Sequence, residues 1–307
     1  MWRDKLMKKV MAAVLAGLMM FSVTACGKSA ETETAKKEVP TFKIGAIPDQ
    51  AAADLNRNMG EMAKYLSEKT GLKVEFVPSV DYAALVTGFE RGEVQMAWFG
   101  GLTGVQARGV APGAEAIAQR PMDAKFKSVF IAQKDLDVTK LEDIKGKTFT
   151  FGSESSTSGS LMPRYFLTQA GIDPEKDFNG APNYSGNHDK TIALVQGGSF
   201  QTGALNVSVW EKSIKENKVD LNKVKVFYTT PEYFDYHWTI NKSDNIDKVY
   251  GEGTKEKVKK AILEMNVEAG GSQAEVLKFF QTDKFVETNN DNYKAIEEVG
   301  KKLGMVK

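Results

Sequence analysis

Apolar positions along this chain recur at two spacings, a period of two that marks strands and one near 3.6 that marks amphipathic helices. Phe42–Ile47 reads as a strand that ends at Pro48-Asp49-Gln50. Leu55, Met59, Met62, Ala63 and Leu66 then fall on one helix face, closed by Gly71. Next come a strand at Lys73–Val77 and a helix capped by Asp81 that carries Tyr82, Leu85, Val86 and Phe89. A strand at Val94–Phe99 leads through Gly100-Gly101 into a short helix. Ser128–Gln133 opens a second run: a strand at Thr148–Phe151, a helix near His188–Gln196, and strands near Gly203–Val207 and Val224–Tyr228. Tyr236–Asn241 is again β-rich. From Thr254 the tail is helical, with Val258, Ile262, Met265, Val276, Phe279, Phe280, Tyr293, Ile296, Val299 and Leu303 as its apolar positions.

Strands alternating with helices in this way predict an α/β fold with mostly parallel sheets. Two such runs followed by a helical tail predict two lobes that the chain crosses twice, outbound at Ser128–Gln133 and back at Tyr236–Asn241. The expected division is 41–131 for the first lobe, 132–235 for the second and 236–307 for the return to the first. Ligands of open α/β sheets sit beyond the carboxyl ends of strands, which predicts one cleft shared by the loops at Asp49-Gln50, Gly100 and Ser156.

The stretch Lys147–Arg164 carries the most chemistry. Its strand ends at Gly152, and the loop that follows holds Ser153, Ser155, Ser156, Thr157, Ser158 and Gly159. Ser156 or Thr157 suits the N-cap of a helix bearing Leu161, Tyr165, Phe166 and Gln169. A helix N-terminus exposes backbone N–H groups and a partial positive charge, so hydroxyls placed there make an uncharged anion site. Taken alone, the same cluster serves equally as an ordinary solvated cap.

The chain has 307 residues, 42% of them hydrophobic, enough for two lobes with their own cores. A formal net charge of +1 supplies no field-scale attraction to nucleic acid or anionic lipid. Arg3, Lys5, Lys8 and Lys9 precede an apolar run from Val10 to Val23, shorter than the ~20 residues of a spanning helix and suited to a signal peptide over residues 1–26. The run ends at Val23-Thr24-Ala25-Cys26-Gly27, which looks like a bacterial lipobox with Cys26, the only cysteine, at the lipidated position. Residues 27–40 read as a flexible tether. The expectation is an extracytoplasmic lipoprotein anchored to the membrane through its N-terminal lipid.

Enzymatic motifs are mostly missing. Gly146-Lys147-Thr148 has Leu141 where a phosphate loop requires glycine, and no Gly-x-Ser-x-Gly elbow occurs. His188 and His237 are the only histidines, neither at a metal-ligand spacing, so no metal or other cofactor is expected. His188 opens a helix after Tyr184-Ser185-Gly186-Asn187 and suits either a surface cap or a donor aimed into the cleft. His237, beside Trp238, reads as packed, and Trp98-Phe99 as core or cleft lining.

Together these elements resemble, over essentially the whole mature chain, the substrate-binding proteins of phosphonate/phosphite/phosphate ABC importers. The carriers are Asp81-Tyr82, Ala97-Trp98-Phe99-Gly100, Ser156-Thr157-Ser158-Gly159 with Pro163 beyond, Gly186-Asn187-His188-Asp189, and Phe234-Asp235. Trp98–Thr103 and the segment through Ala204-Leu205-Asn206 are most similar to a branch labelled selenate-binding. The resemblance implies a two-lobed periplasmic-binding-protein type II fold that closes on a small oxyanion, no catalysis, and separate permease and ATPase partners. It implies that Ser156, Thr157, Ser158 and the Gly159 amide hold the oxyanion, that Tyr82 bonds from the first lobe and His188 from the second, and that Asp235 sits by the hinge. Asp49 and Gln50 join this set as residues of the same cleft. Phe126 replaces a second aromatic hydroxyl, and Ser208 stands where aminoalkylphosphonate binders carry a carboxylate, which favours a compact ligand. Selenate or another sulfate-like anion is the competing ligand class. A secreted serine hydrolase and an adhesive lipoprotein are the competing classes of protein.

Overall fold

The computed structural model describes residues 39–307. The expected signal peptide, Cys26 and all of the tether before Val39 lie outside the described residues. The first strands of the first lobe follow the alternation seen in the sequence, and each is followed by a helix that lays an apolar face back on the sheet. β1 (Phe42–Ala46) leads to the helix Ala52–Thr70, which buries Leu55, Met59, Met62, Ala63 and Leu66. Gly71 ends that helix at φ 71°, a left-handed conformation cheap only for glycine, and donates its N–H to Ser67 O (2.9 Å). β2 (Val74–Phe76), β3 (Met96–Phe99), β4 (Glu115–Gln119), β10 (His237–Ile240) and β11 (Val286–Glu287) complete a six-stranded sheet of order β11-β4-β10-β3-β1-β2. The second lobe is a five-stranded sheet, β7-β6-β8-β5-β9, built from β5 (Ser128–Gln133), β6 (Phe149–Phe151), β7 (Asn183–Tyr184), β8 (Thr202–Asn206) and β9 (Val224–Thr229). Alternation along β5 sends Phe130 and Ala132 into one core and Val129 and Ile131 into another, so this sheet is covered on both faces.

Two expectations need correction. The sheets are mixed rather than mostly parallel: β10 runs antiparallel to both β3 and β4, and β5 antiparallel to both β8 and β9. The cause is topological. β1, β3, β6 and β8 all deliver their carboxyl ends to the cleft, whereas β5 and β10 enter their lobes from the cleft side and so run the other way. For the same reason β5 and β10 are not the crossings. Each lies wholly within one sheet, so a boundary after residue 131 would cut β5. The crossings are the shorter segments around Phe126 and Tyr233, paired by reciprocal backbone bonds, Phe126 N–H to Tyr233 O (2.8 Å) and Tyr233 N–H to Phe126 O (3.0 Å).

Candidate functional site

The carboxyl end of β6 passes through a short loop to Ser156, which caps the next helical turn: its Oγ accepts from Gly159 N (3.0 Å). The turn itself, Thr157–Leu161, is a π-turn ahead of the α-helix Met162–Gln169, a widening frequent at functional sites. It packs against the opposite lobe. Thr157 Oγ1 accepts from Leu102 N (2.9 Å), in the first turn of the helix Gly101–Val110. Asp235 Oδ1 accepts from Gly101 N (2.9 Å) in that same turn. Gly100 makes this approach possible, since a Cβ there would stand 3.0 Å from Thr157 Oγ1 and 3.2 Å from Asp235 Oδ1.

Around this junction Asp49, Tyr82, Ser156, Thr157, Ser158, His188 and Asp235 are all buried. Among the described residues, three of these place a polar atom with no hydrogen-bond partner in the protein: Tyr82 OH, Ser158 Oγ and Asp235 Oδ2. An unpaired buried polar group is costly, and a cluster of them marks a surface made for something else to bond. Burial raises the Tyr82 phenol far above its usual range, so it is a neutral hydroxyl. His188 is pulled down to about 3 by burial and is neutral. Its Nδ1 accepts from Asn206 N (3.5 Å), which leaves Nε2 as the donor, 3.3 Å from Tyr236 OH. Asp235 is raised to about 7 by burial, against the lowering effect of the Gly101 N–H. Asp49 is raised to about 6, again by burial, opposed by the Tyr236 hydroxyl and the Arg120 guanidinium.

Gly159 is buried in the same turn, but its amide is donated to Ser156 Oγ rather than into the cleft. Gln50 lies at the rim, half-buried, where its Oε1 accepts from Lys212 Nζ (3.0 Å). Nearby, His188 N donates to Asp49 O (3.1 Å) and Ala51 N to Asp189 Oδ2 (2.8 Å), tying the lobes together across the mouth. Sequence reasoning missed Tyr236 and Asn206. The Asn206 amide donates to Tyr236 OH (2.9 Å), which also approaches His188. Their only sequence signals were adjacency to Asp235 and the helix-cap position after β8. Sequence reasoning also missed the buried pair Arg120–Asp123, joined by Nε to Oδ2 (2.7 Å) and Nη2 to Oδ1 (2.6 Å). Burial opposes charge on Arg120, but the Asp123 carboxylate keeps it protonated. Phe126 packs edge-on against Tyr233 and Tyr236, and Ser208 is buried with its N–H on Asn206 Oδ1 (2.7 Å). Among the described residues no group of His, Cys, Asp and Glu is arranged to hold a metal.

Two α/β lobes on a paired crossing, with donors and one acceptor converging between them, define a solute-binding clamp for a small anion. Residues 44–293 match the family described as ABC transporter, phosphonate, periplasmic substrate-binding protein, and the chain belongs to it. It is 42% identical over 273 residues, 87% of this chain and 91% of the relative, to a probable ABC transporter phosphite binding protein, PhnD1, of Prochlorococcus marinus. The crystal structure of that PhnD1 in complex with methylphosphonate superposes with a TM-score of 0.83 at 41% identity, covering 87% of this chain and 99% of the other. A phosphate-import protein, PhnD, of Mycolicibacterium smegmatis is 30% identical over 203 residues, 62% of this chain and 63% of the relative. Members of this family are binding components of importers, not enzymes, which sets aside the hydrolase and adhesive alternatives.

Proposed function

We propose that this protein captures a small phosphorus oxyanion that retains a proton, of the phosphite or methylphosphonate class, and presents it to the permease of an ABC importer. The observation that carries the reading is the unpartnered Asp235 Oδ2 beside the unpartnered hydroxyls of Tyr82 and Ser158. Raised to about 7, Asp235 is ionised above neutral pH, where it only accepts hydrogen bonds and suits a ligand that brings its own hydrogen, while the hydroxyls suit the ligand's bare oxygens. Thr157, with Leu102 N–H on its lone pair, has its hydrogen left to donate, as does Ser156, while His188 Nε2 already meets Tyr236 OH. With the Gly159 amide engaged by Ser156, the backbone donors are the earlier amides of the turn, at Thr157 and Ser158. The resemblance to PhnD1, whose structure holds methylphosphonate, supports the same class. No carboxylate stands at Ser208 to pair with an amine, which favours a ligand without one. Export and lipidation at Cys26 place the clamp outside the membrane, next to its permease. Calorimetric titration with phosphite, methylphosphonate, phosphate, aminoethylphosphonate, sulfate and selenate tests the reading. Micromolar or tighter binding of the first two is expected, and binding of sulfate or selenate alone would overturn it.

A further inference from the structure

His237 occupies a notch that the chain makes for it. A Cβ at Gly104 would lie 2.3 Å from both Cε1 and Nε2 of the His237 ring, so only glycine at this helix-interior position admits the imidazole. Glycine is disfavoured relative to alanine inside a helix, so the notch is made at the expense of helix propensity. On one side of the ring Nε2 is 2.6 Å from Arg108 Nη1, and on the other Nδ1 is 3.0 Å from the Asp235 carbonyl oxygen. Guanidinium has donors only, so Nε2 must be the acceptor. That fixes His237 as the neutral Nδ1–H tautomer, donating to Asp235 O. Burial and the Arg108 charge both hold the ring well below its ordinary pKa, in agreement. Arg108 lies 5.1 Å over the Tyr293 ring, and among the described residues no carboxylate is within salt-bridge distance of it. Its nearest polar commitments are His237 and, at 3.4 Å, Thr239 Oγ1.

The Asp235 main chain is thus held on both sides, its N–H by Asp123 O (3.0 Å) and its carbonyl by the imidazole. We propose that Arg108 and His237 are positioning residues for the ligand: the guanidinium and the Asp235 carbonyl together fix the imidazole tautomer, the guanidinium seats the ring, the imidazole pins the Asp235 carbonyl, and the Asp235 carboxylate and Tyr236 hydroxyl are thereby aimed into the cleft. The inference rests on the reading of Asp235 as a ligand contact, but its tautomer part stands apart from that reading.

The chain has only two histidines, so their imidazole nitrogens are resolved directly by nitrogen-15 NMR. His237 should show the Nδ1–H pattern and His188 the Nε2–H pattern, and Arg108→Met should keep the His237 Nδ1–H, held by the Asp235 carbonyl, while shifting the Nε2 resonance as its donor is lost. A wild-type His237 in the Nε2–H form would overturn the proposal. In methylphosphonate titrations, His237→Asn keeps an N–H for the Asp235 carbonyl and should bind within about threefold of wild type, whereas His237→Leu should lose at least about tenfold. Equal affinities for the two variants, whether strong or weak, would reduce His237 to packing. Should His237→Leu fail to fold, His237→Ala removes the same N–H without added bulk and carries the comparison, with wild-type affinity as the overturning result. Wild-type protein that binds no oxyanion would instead remove the cleft reading, and the ligand role with it, while the NMR pattern still reports the tautomer.

Discussion

At the scale of single residues the cleft turns on one carboxylate. In the proposed site Asp235 spends Oδ1 on the Gly101 amide and has Oδ2 unpartnered, so above about pH 7, where the carboxyl is ionised, an anion that arrives without a hydrogen meets both a missing bond and a like charge. Phosphite should therefore bind wild type more tightly than selenate, and Asp235→Asn should narrow or reverse that order, because the amide supplies donors where the carboxylate had none. Competitive calorimetry with the two anions decides the matter. The same residue sets a pH slope. Its pKa is about 7 in the fold and near the ordinary 3.8 when unfolded, so the fold binds the extra proton between those values and loses stability as pH rises through them. His188 has the opposite sign: with a folded pKa of about 3 against 6.5, it contributes stability above 6.5 that is lost as pH falls toward 3. The two trends oppose each other in the wild type. Asp235→Asn removes the first, so its melting temperature relative to wild type should rise between about pH 4 and pH 7.

Among the elements, the helix Gly101–Val110 and the π-turn Thr157–Leu161 meet amide to hydroxyl, with Gly100 as the spacer between them. Gly100→Ala places a methyl against Thr157 and Asp235. Overpacking of this kind costs about 1–3 kcal/mol, and because it falls between lobes it should appear as a loss of about ten- to hundredfold in ligand affinity with a nearly unchanged melting temperature. Much of this scaffold was legible in the sequence. The heptad-like run from Leu55 to Leu66, the Gly71 stop and the Ser156 cap all follow local rules, and the structure keeps them. β4 was not legible, since Glu115-Ala-Ile-Ala-Gln119 is rich in a residue with weak strand preference and becomes a strand through pairing with β10 and β11. The direction of β5 and β10 was hidden because periodicity is blind to which side of a sheet the chain enters from. Tyr236 and Asn206 escaped because their roles come from a contact across thirty residues of chain, whereas the Ser/Thr cluster announces itself within eight residues; Arg120–Asp123 is local in sequence, but its burial is not visible there.

For the whole molecule, the described residues contain no helix long and apolar enough to cross a membrane, so attachment in the proposed scheme rests on Cys26. Cys26→Ser should move the protein from the membrane fraction to the soluble one while leaving its melting temperature and oxyanion affinity unchanged; retention in the pellet would remove the lipid anchor. The proposed site grips through hydroxyls, amides and a neutral imidazole, and Arg120, the buried cation beside it, is committed to Asp123. Binding therefore relies on fixed dipoles at contact range, and these are not attenuated by mobile ions as charge pairs separated by solvent are. With a formal net charge of +1 there is also little long-range pull to hasten encounter in dilute buffer. Dissociation constants for phosphite should change by less than about twofold when ionic strength is raised from about 0.05 to 0.5 M with a non-binding salt. A receptor of this construction would scavenge its anion as well from brine as from fresh water.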